Sequence, residues 1–172
     1  NGTITITADT LSELEDRVAT IIASNSEYGV SDSVLITQYK TPPIPLTFEI
    51  ISGGTILWES RYDDFPKTIL YSKNDGDWVE ITPTTTGTPI DVSTGDIVKF
   101  KGNNSNYAKE DGYYTRFQTD NGALFNVKGN IMSLINSDGF ISVKKINKYA
   151  FHKLFYDCIG LVSAENLILP AT

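Results

Sequence analysis

The chain has 172 residues, of which 40% are hydrophobic and 20% charged, and its formal net charge is −7. This is the composition of an ordinary folded protein with room for a real core, and its acidic balance argues against nucleic acid and anionic membrane surfaces as partners. A single cysteine excludes an intramolecular disulfide, and with a single histidine it leaves too few ligands for a usual structural zinc site, so no cofactor is expected.

No apolar run approaches the roughly 18 residues of a membrane span, so membrane insertion is not expected. The first ten residues, NGTITITADT, lack both the basic region and the apolar stretch of a signal peptide. The chain also begins without Met, and a trimmed leader is compatible with that start.

In TITITA, Thr3, Thr5 and Thr7 alternate with Ile4, Ile6 and Ala8, which predicts a half-buried strand. The period then changes. Leu11, Leu14, Val18 and Ile21 form an apolar stripe of helical spacing. Thr10 and Glu13 fit a capping box, and Asp9, Glu13, Glu15 and Asp16 put negative charge near the helix start. A helix is expected over residues 10 to 24, followed by a strand in SVLITQY. The stripe either docks onto the chain's own strands or forms a seam with copies of the chain or a host structure.

TPPIP is a stiff, extended connector. A module boundary is expected there, at residues 42–45. From Leu46 to about Val127 the sequence alternates short strands and turns. LTFEII, GTILWES, KTILYS, DWVEIT, DIVKFK, YYTRFQ and ALFNVK are rich in residues that suit a pleated, half-buried surface. SGG, KNDG, TTTGTP, STGD, GNNSN and TDNG are turn signals between them. Strands at this spacing, with no helical period between them, predict an antiparallel β-sandwich over residues 46–136. GNIMSLINSDGF fits a short helix or a turn.

KNDGD has too few acidic residues for a calcium loop and reads as a hairpin turn at Asp75-Gly76. Asp63, Asp64, Glu49, Glu59 and Glu80 show no pairing that would make a glycosidase, because spacing alone does not set two carboxylates face to face. Trp58, Tyr62, Tyr107, Tyr113, Tyr114 and Phe117 lie near loops or strand ends, where aromatic faces either fill the core or stack on a ligand. The run NNSNYAKEDGYY is long and polar, and its Tyr107, Tyr113 and Tyr114 make it the candidate binding loop.

The closing stretch FHKLFYDCIGLVSAENLILPAT holds both His152 and Cys158. No third member of a catalytic triad can be assigned to them. Cys158 instead falls on an apolar register with Phe151, Leu154, Phe155, Leu161, Ala164, Leu167 and Leu169. A free cysteine behaves there as a small hydrophobe. Mixed spacings of this kind, ending in Leu-x-Leu-Pro, suit a leucine-rich solenoid.

Phe151, Phe155, Cys158, Leu161, Ala164, Leu169, Pro170, Ala171 and Thr172 resemble one unit of the BspA-type leucine-rich repeats, found on surface proteins of gut bacteria and in proteins of their phages. LYSKNDGDWVEIT, VSTGDIVKFKGNN and FNVKGNIMSLI resemble the β-rich region that precedes those repeats. The resemblance covers about residues 46–172. It implies that 137–172 is a first repeat unit, with Phe151, Phe155, Cys158, Leu161, Leu167 and Leu169 as solenoid core, and that more repeats follow.

The expectation is therefore a mainly β, non-enzymatic module. Residues 1–41 are a strand-helix-strand assembly element, with Leu11, Leu14, Val18 and Ile21 as its contact stripe. A sandwich follows, and then the start of a leucine-rich solenoid. The expected partners are proteins, either copies of the chain or a capsid-like host surface, with a host glycan or protein as receptor. The expected setting is a phage virion fibre or decoration protein; a bacterial cell-surface adhesin is the alternative, and a carbohydrate-binding domain of a glycoside hydrolase a more distant one. The location is then the virion surface or the cell surface.

Overall fold

The computed structural model describes residues 17–25, 28–38, 43–63, 65–110, 112–143 and 145–170. The chain divides into two compact units, Asn1–Pro42 and Pro43–Thr172.

In the first unit, β1 (Arg17–Asn25) pairs antiparallel with β2 (Val30–Gln38), from Arg17↔Gln38 to Asn25↔Val30. The helix expected over residues 10 to 24 is corrected here: its described part is a strand. The reason is local. Val18, Thr20, Ile21 and Ile22 are β-branched, which penalises a helix and favours a pleated strand. Gly29, at φ +61°, then takes the left-handed conformation that lets the chain reverse. In a strand, residues three apart point to opposite faces. Val18 and Ile21 therefore do not share a stripe. Leu11, Leu14 and the strand expected at residues 3–8 lie outside the described residues.

The second unit is mainly β, with two sheets. Its strands are β3 (Leu46–Ser52), β4 (Gly54–Ser60), β5 (Ile69–Lys73), β6 (Val79–Ile81), β7 (Thr88–Val92), β8 (Ile97–Lys101), β9 (Ala108–Glu110), β10 (Tyr113–Asp120), β11 (Leu124–Asn130) and β12 (Leu161–Ile168). One sheet has the order β12-β11-β3-β8-β5-β6 and the other β7-β4-β10-β9. Neighbours are antiparallel except β11 and β12, which run parallel.

Alternating side chains from both sheets meet in one aromatic core. Phe48 stacks on Phe125 at 4.2 Å, and Phe117 of the second sheet lies 4.9 Å from Phe48 and 4.8 Å from Phe100 of the first. Trp58 sits 4.6 Å from Phe117 and is fully buried. Its indole N–H is satisfied by donating to the Lys67 carbonyl at 2.7 Å. Two sheets sharing such a core are consistent with a β-sandwich.

Two turn signals act as corners between sheets. At SGG the chain leaves β3 in the larger sheet and enters β4 in the smaller one, and at Asn121-Gly122 it returns from β10 to β11. The corners lie against each other: a Cβ on Gly54, at φ +153°, would lie 2.5 Å from the Ala123 nitrogen. Strand β7 begins inside the TTTGTP turn signal and contains Pro89, which is tolerated because β7 is an edge strand.

After β11 come two short 3₁₀ turns, Ile131–Leu134 and Phe140–Ser142. The buried Ser133 hydroxyl donates to the Phe100 carbonyl at 2.8 Å and accepts from the Leu46 amide at 2.9 Å. It thereby fixes the first turn to the neighbouring strands β3 and β8.

Residues 148–160 form a run of tight turns. Tyr149, Lys153 and Asp157 each take a positive φ, of 65°, 59° and 57°. The residue after each, Ala150, Leu154 and Cys158, is buried. The run lies on the sheets by main-chain hydrogen bonds: Tyr107 N–H to the Ala150 carbonyl at 2.9 Å, Phe117 N–H to Leu154 at 2.8 Å and Phe125 N–H to Gly160 at 2.9 Å.

No leucine-rich solenoid is shown among the described residues of 137–172, where a first unit of one was expected. These residues belong to the same compact unit as the sheets, and β12 extends the larger sheet. A single repeat cannot bury its apolar face alone, and here the sheets supply the missing surface.

Candidate functional site

Cys158 is 9% exposed and belongs to the aromatic core cluster. Burial pushes its thiol up to about 11, against the opposing pull of backbone hydrogen bonds at Gly160 and Leu161 and of the Arg116 charge. The thiolate, which is the nucleophilic form, is thus disfavoured at neutral pH. The His152 ring lies edge-on to Tyr149 at 5.3 Å. Among the described residues no three His, Cys, Asp or Glu side chains converge as a metal-ligand set, and no helix is long and apolar enough to cross a membrane.

Phe151, Phe155, Leu161 and Leu167 are partly buried and pack against the aromatic core. Phe155 reaches 5.6 Å from Phe117 and 6.0 Å from Phe48. These side chains therefore pack against the core that the two sheets share. Leu169, expected to share a core with them, is 63% exposed.

The candidate binding loop divides in the same way. Tyr107 is fully buried, 5.7 Å from Trp58, and its hydroxyl donates to the Leu134 carbonyl at 2.7 Å. Burial holds its phenol well above the ordinary tyrosine range, only partly offset by Asn104. Tyr114 is also buried. Neither can present a face to a ligand, so both are corrected to structural roles. Tyr113 is half-buried and packs on the exposed Tyr62 at 4.5 Å, with Lys109 over its ring.

In the first unit, Val18 is exposed and Ile21 half-buried. Ile22, Val34 and Leu35 are exposed beside them. The pairing puts Val18, Ile22 and Leu35 on one face of the hairpin and Ile21 and Val34 on the other. Among the described residues the unit is a two-stranded hairpin, a form that is at best marginal in water by itself, so these faces suit a further surface.

The feature that sequence reasoning missed is an open groove of about 370 Å³ in the second unit. Trp78, Lys99, Lys101, Asp75, Ser137 and Asp138 line it. The turn after β5, with Asn74 and Asp75 at φ 53° and 59°, brings Asp75 to the groove. Asn74 anchors that turn by donating to Asp96 and accepting from the Ile97 amide, each at 2.8 Å. Lys99 and Lys101 come from alternate positions on β8, so they share one face of the sheet.

Lys99 is ion-paired with Asp75, while Lys101 Nζ lies 4.6 Å from the Trp78 ring centre and 3.9 Å from Asp138. Trp78 is 39% exposed, whereas Trp58 is wholly buried. Composition and spacing do not distinguish the two tryptophans; the DGD flanking Trp78 on its N-terminal side was the only hint of exposure.

No protein-family model, no curated protein and no solved structure matches the chain.

Proposed function

We propose that the chain is a non-catalytic structural and binding module of a surface-exposed protein, a phage virion fibre or decoration protein being the favoured setting. In this reading the first unit attaches the protein to its own copies or to a host particle. The second unit starts a BspA-type leucine-rich array that faces a receptor.

The observation that carries the reading is the placement of β12. It is the outermost strand of its sheet, it lies parallel to β11, and among the described residues no strand pairs with its other side. A parallel edge strand offers the hydrogen-bonding groups on which a further parallel strand can form. Ile159, Val162, Ile168 and Leu169 stand exposed along it and at its ends. Beyond its end lies a groove of about 380 Å³ lined by Met132, Phe140, Ile141, Val143, Leu169 and Pro170. Such a surface suits the stacking of another coil.

Hydrogen exchange tests this directly. In a protein carrying repeats after Thr172, the outward-facing amides of β12 should be strongly protected; in the 172-residue chain the same amides should exchange quickly. Equal exchange in the two proteins would contradict the proposal.

A further inference from the structure

We propose that the groove beside Trp78 is a binding site for a short neutral saccharide. The inference rests on the groove alone and stands whether or not repeats follow β12.

The groove has the size of a small-molecule cleft, about 370 Å³ against the roughly 300–1,000 Å³ usual for such sites. Its charges come as complementary pairs, Lys99 with Asp75 and Lys101 with Asp138. A charged ligand would have to displace one member of a pair. A neutral polyhydroxylated ligand would not, because each sugar hydroxyl both donates and accepts. The lysines supply donors and the aspartates acceptors.

The Asp75 and Asp138 side chains are 77% and 90% exposed, so their remaining oxygen lone pairs face solvent. Lys101 lies only loosely against Asp138, at 3.9 Å, which leaves N–H directions for a hydroxyl. Trp78 adds the apolar part. Its indole is 39% exposed, and the Lys101 ammonium lies over one face of the ring at 4.6 Å from its centre, so the C–H face of a pyranose takes the part of the indole that Lys101 leaves open, with that ammonium as a neighbouring donor. The wall is mixed, with Pro43, Pro45 and Phe140 beside Trp78 and polar side chains between them, which suits a ligand that carries both C–H faces and hydroxyls.

The test uses saturation-transfer NMR and calorimetric titration of the 172-residue chain. The probes are maltotriose, cellotriose, mannotriose and N-acetyllactosamine, with trigalacturonate as the charged comparison. At least one neutral probe should bind, with trigalacturonate weaker. Trp78→Ala should weaken that binding roughly tenfold, the scale of one lost aromatic stack. Trp78→Phe should keep most of it, and Asp138→Ala should weaken it. Buried Trp58 then reports by its fluorescence that the Trp78 variants remain folded. Absence of binding by every neutral probe, binding unchanged in Trp78→Ala, or preference for trigalacturonate would each overturn the proposal.

Discussion

Arg116 and Tyr156 are joined side chain to main chain: Arg116 Nη1 donates to the Tyr156 carbonyl at 3.1 Å. Gln118 donates to the same oxygen at 2.8 Å, and Arg116 donates from Nε and Nη2 to Glu59 at 3.3 and 2.9 Å. Strands β4 and β10 thus hold the turn run that carries Cys158. The Arg116 and Glu59 side chains are only 14% and 16% exposed, so the pair is poorly screened. Arg116→Ala would leave Glu59 without its main partner and remove one of the two side-chain donors that hold the turn at Tyr156. The expected cost is about 2–3 kcal/mol, with markedly faster thiol labelling of Cys158 in the native state. Arg116→Lys should not restore the wild-type rate, because an ammonium cannot make the forked contact. Unchanged labelling in Arg116→Ala would refute this role.

Gly129 is predicted to be irreplaceable. Its φ is +79°, and a Cβ there would lie 2.1 Å from the Pro45 carbonyl oxygen. Pro45 bridges to the neighbouring Asn130, so neither backbone has room to move. Gly129→Ala combines a left-handed backbone with a backbone clash. It should cost about 3 kcal/mol or more in chemical denaturation. A loss below about 1 kcal/mol would contradict the packing described.

Stability should fall at alkaline pH through Cys158. The folded thiol is raised from 9.0 to about 11 by burial. Between these values the unfolded chain has lost its proton and the folded chain has not, so the unfolded state binds fewer protons and stability drops as pH rises. The contribution is complete below pH 9 and lost by about pH 11. Tyr107, also raised by burial, adds a slope of the same sign. Cys158→Ala should cost about 1–2 kcal/mol at neutral pH and flatten the fall between pH 9 and 11. An identical pH profile in the variant would show that the thiol is not the titrating group.

The hairpin of the first unit should direct assembly. Val18 and Ile22 project from one face of β1 and are both exposed. Val18→Asp with Ile22→Asp should lower the mass seen by light scattering. Both tryptophans lie in the other unit, so their fluorescence should be unchanged. A parent chain that is already monomeric, or a variant with the parent's mass, would remove the assembly role.

The sequence was most legible where a strand is half-buried. GTILWES, YYTRFQ and ALFNVK announce β4, β10 and β11 because alternation is a local property. It was misleading at Val18 and Ile21, where helical spacing competed with β-branching and the β-branched run prevails. The apolar run from Phe151 to Leu169 was visible, but not its destination. The buried positions Ala150, Leu154 and Cys158 recur every four residues, each after a residue at positive φ. Nothing in Tyr149 or Lys153 advertises that conformation, which glycine more often adopts and aspartate, as at Asp157, tolerates. The candidate groove was hidden for another reason. It joins Asp75, Trp78, Lys101 and Asp138, which only long-range strand pairing and the turn after Leu134 bring together.

The most direct measurement of the central claim is immunogold electron microscopy with antibodies against residues 43–170, applied to intact virions and to uninfected cells of the source. The account predicts gold on the outer surface of the virion, at fibres or capsid. Gold on the envelope of uninfected cells would keep the surface-module reading and move it to a bacterial adhesin. Gold confined to the cell interior, with none on any particle or envelope, would contradict it.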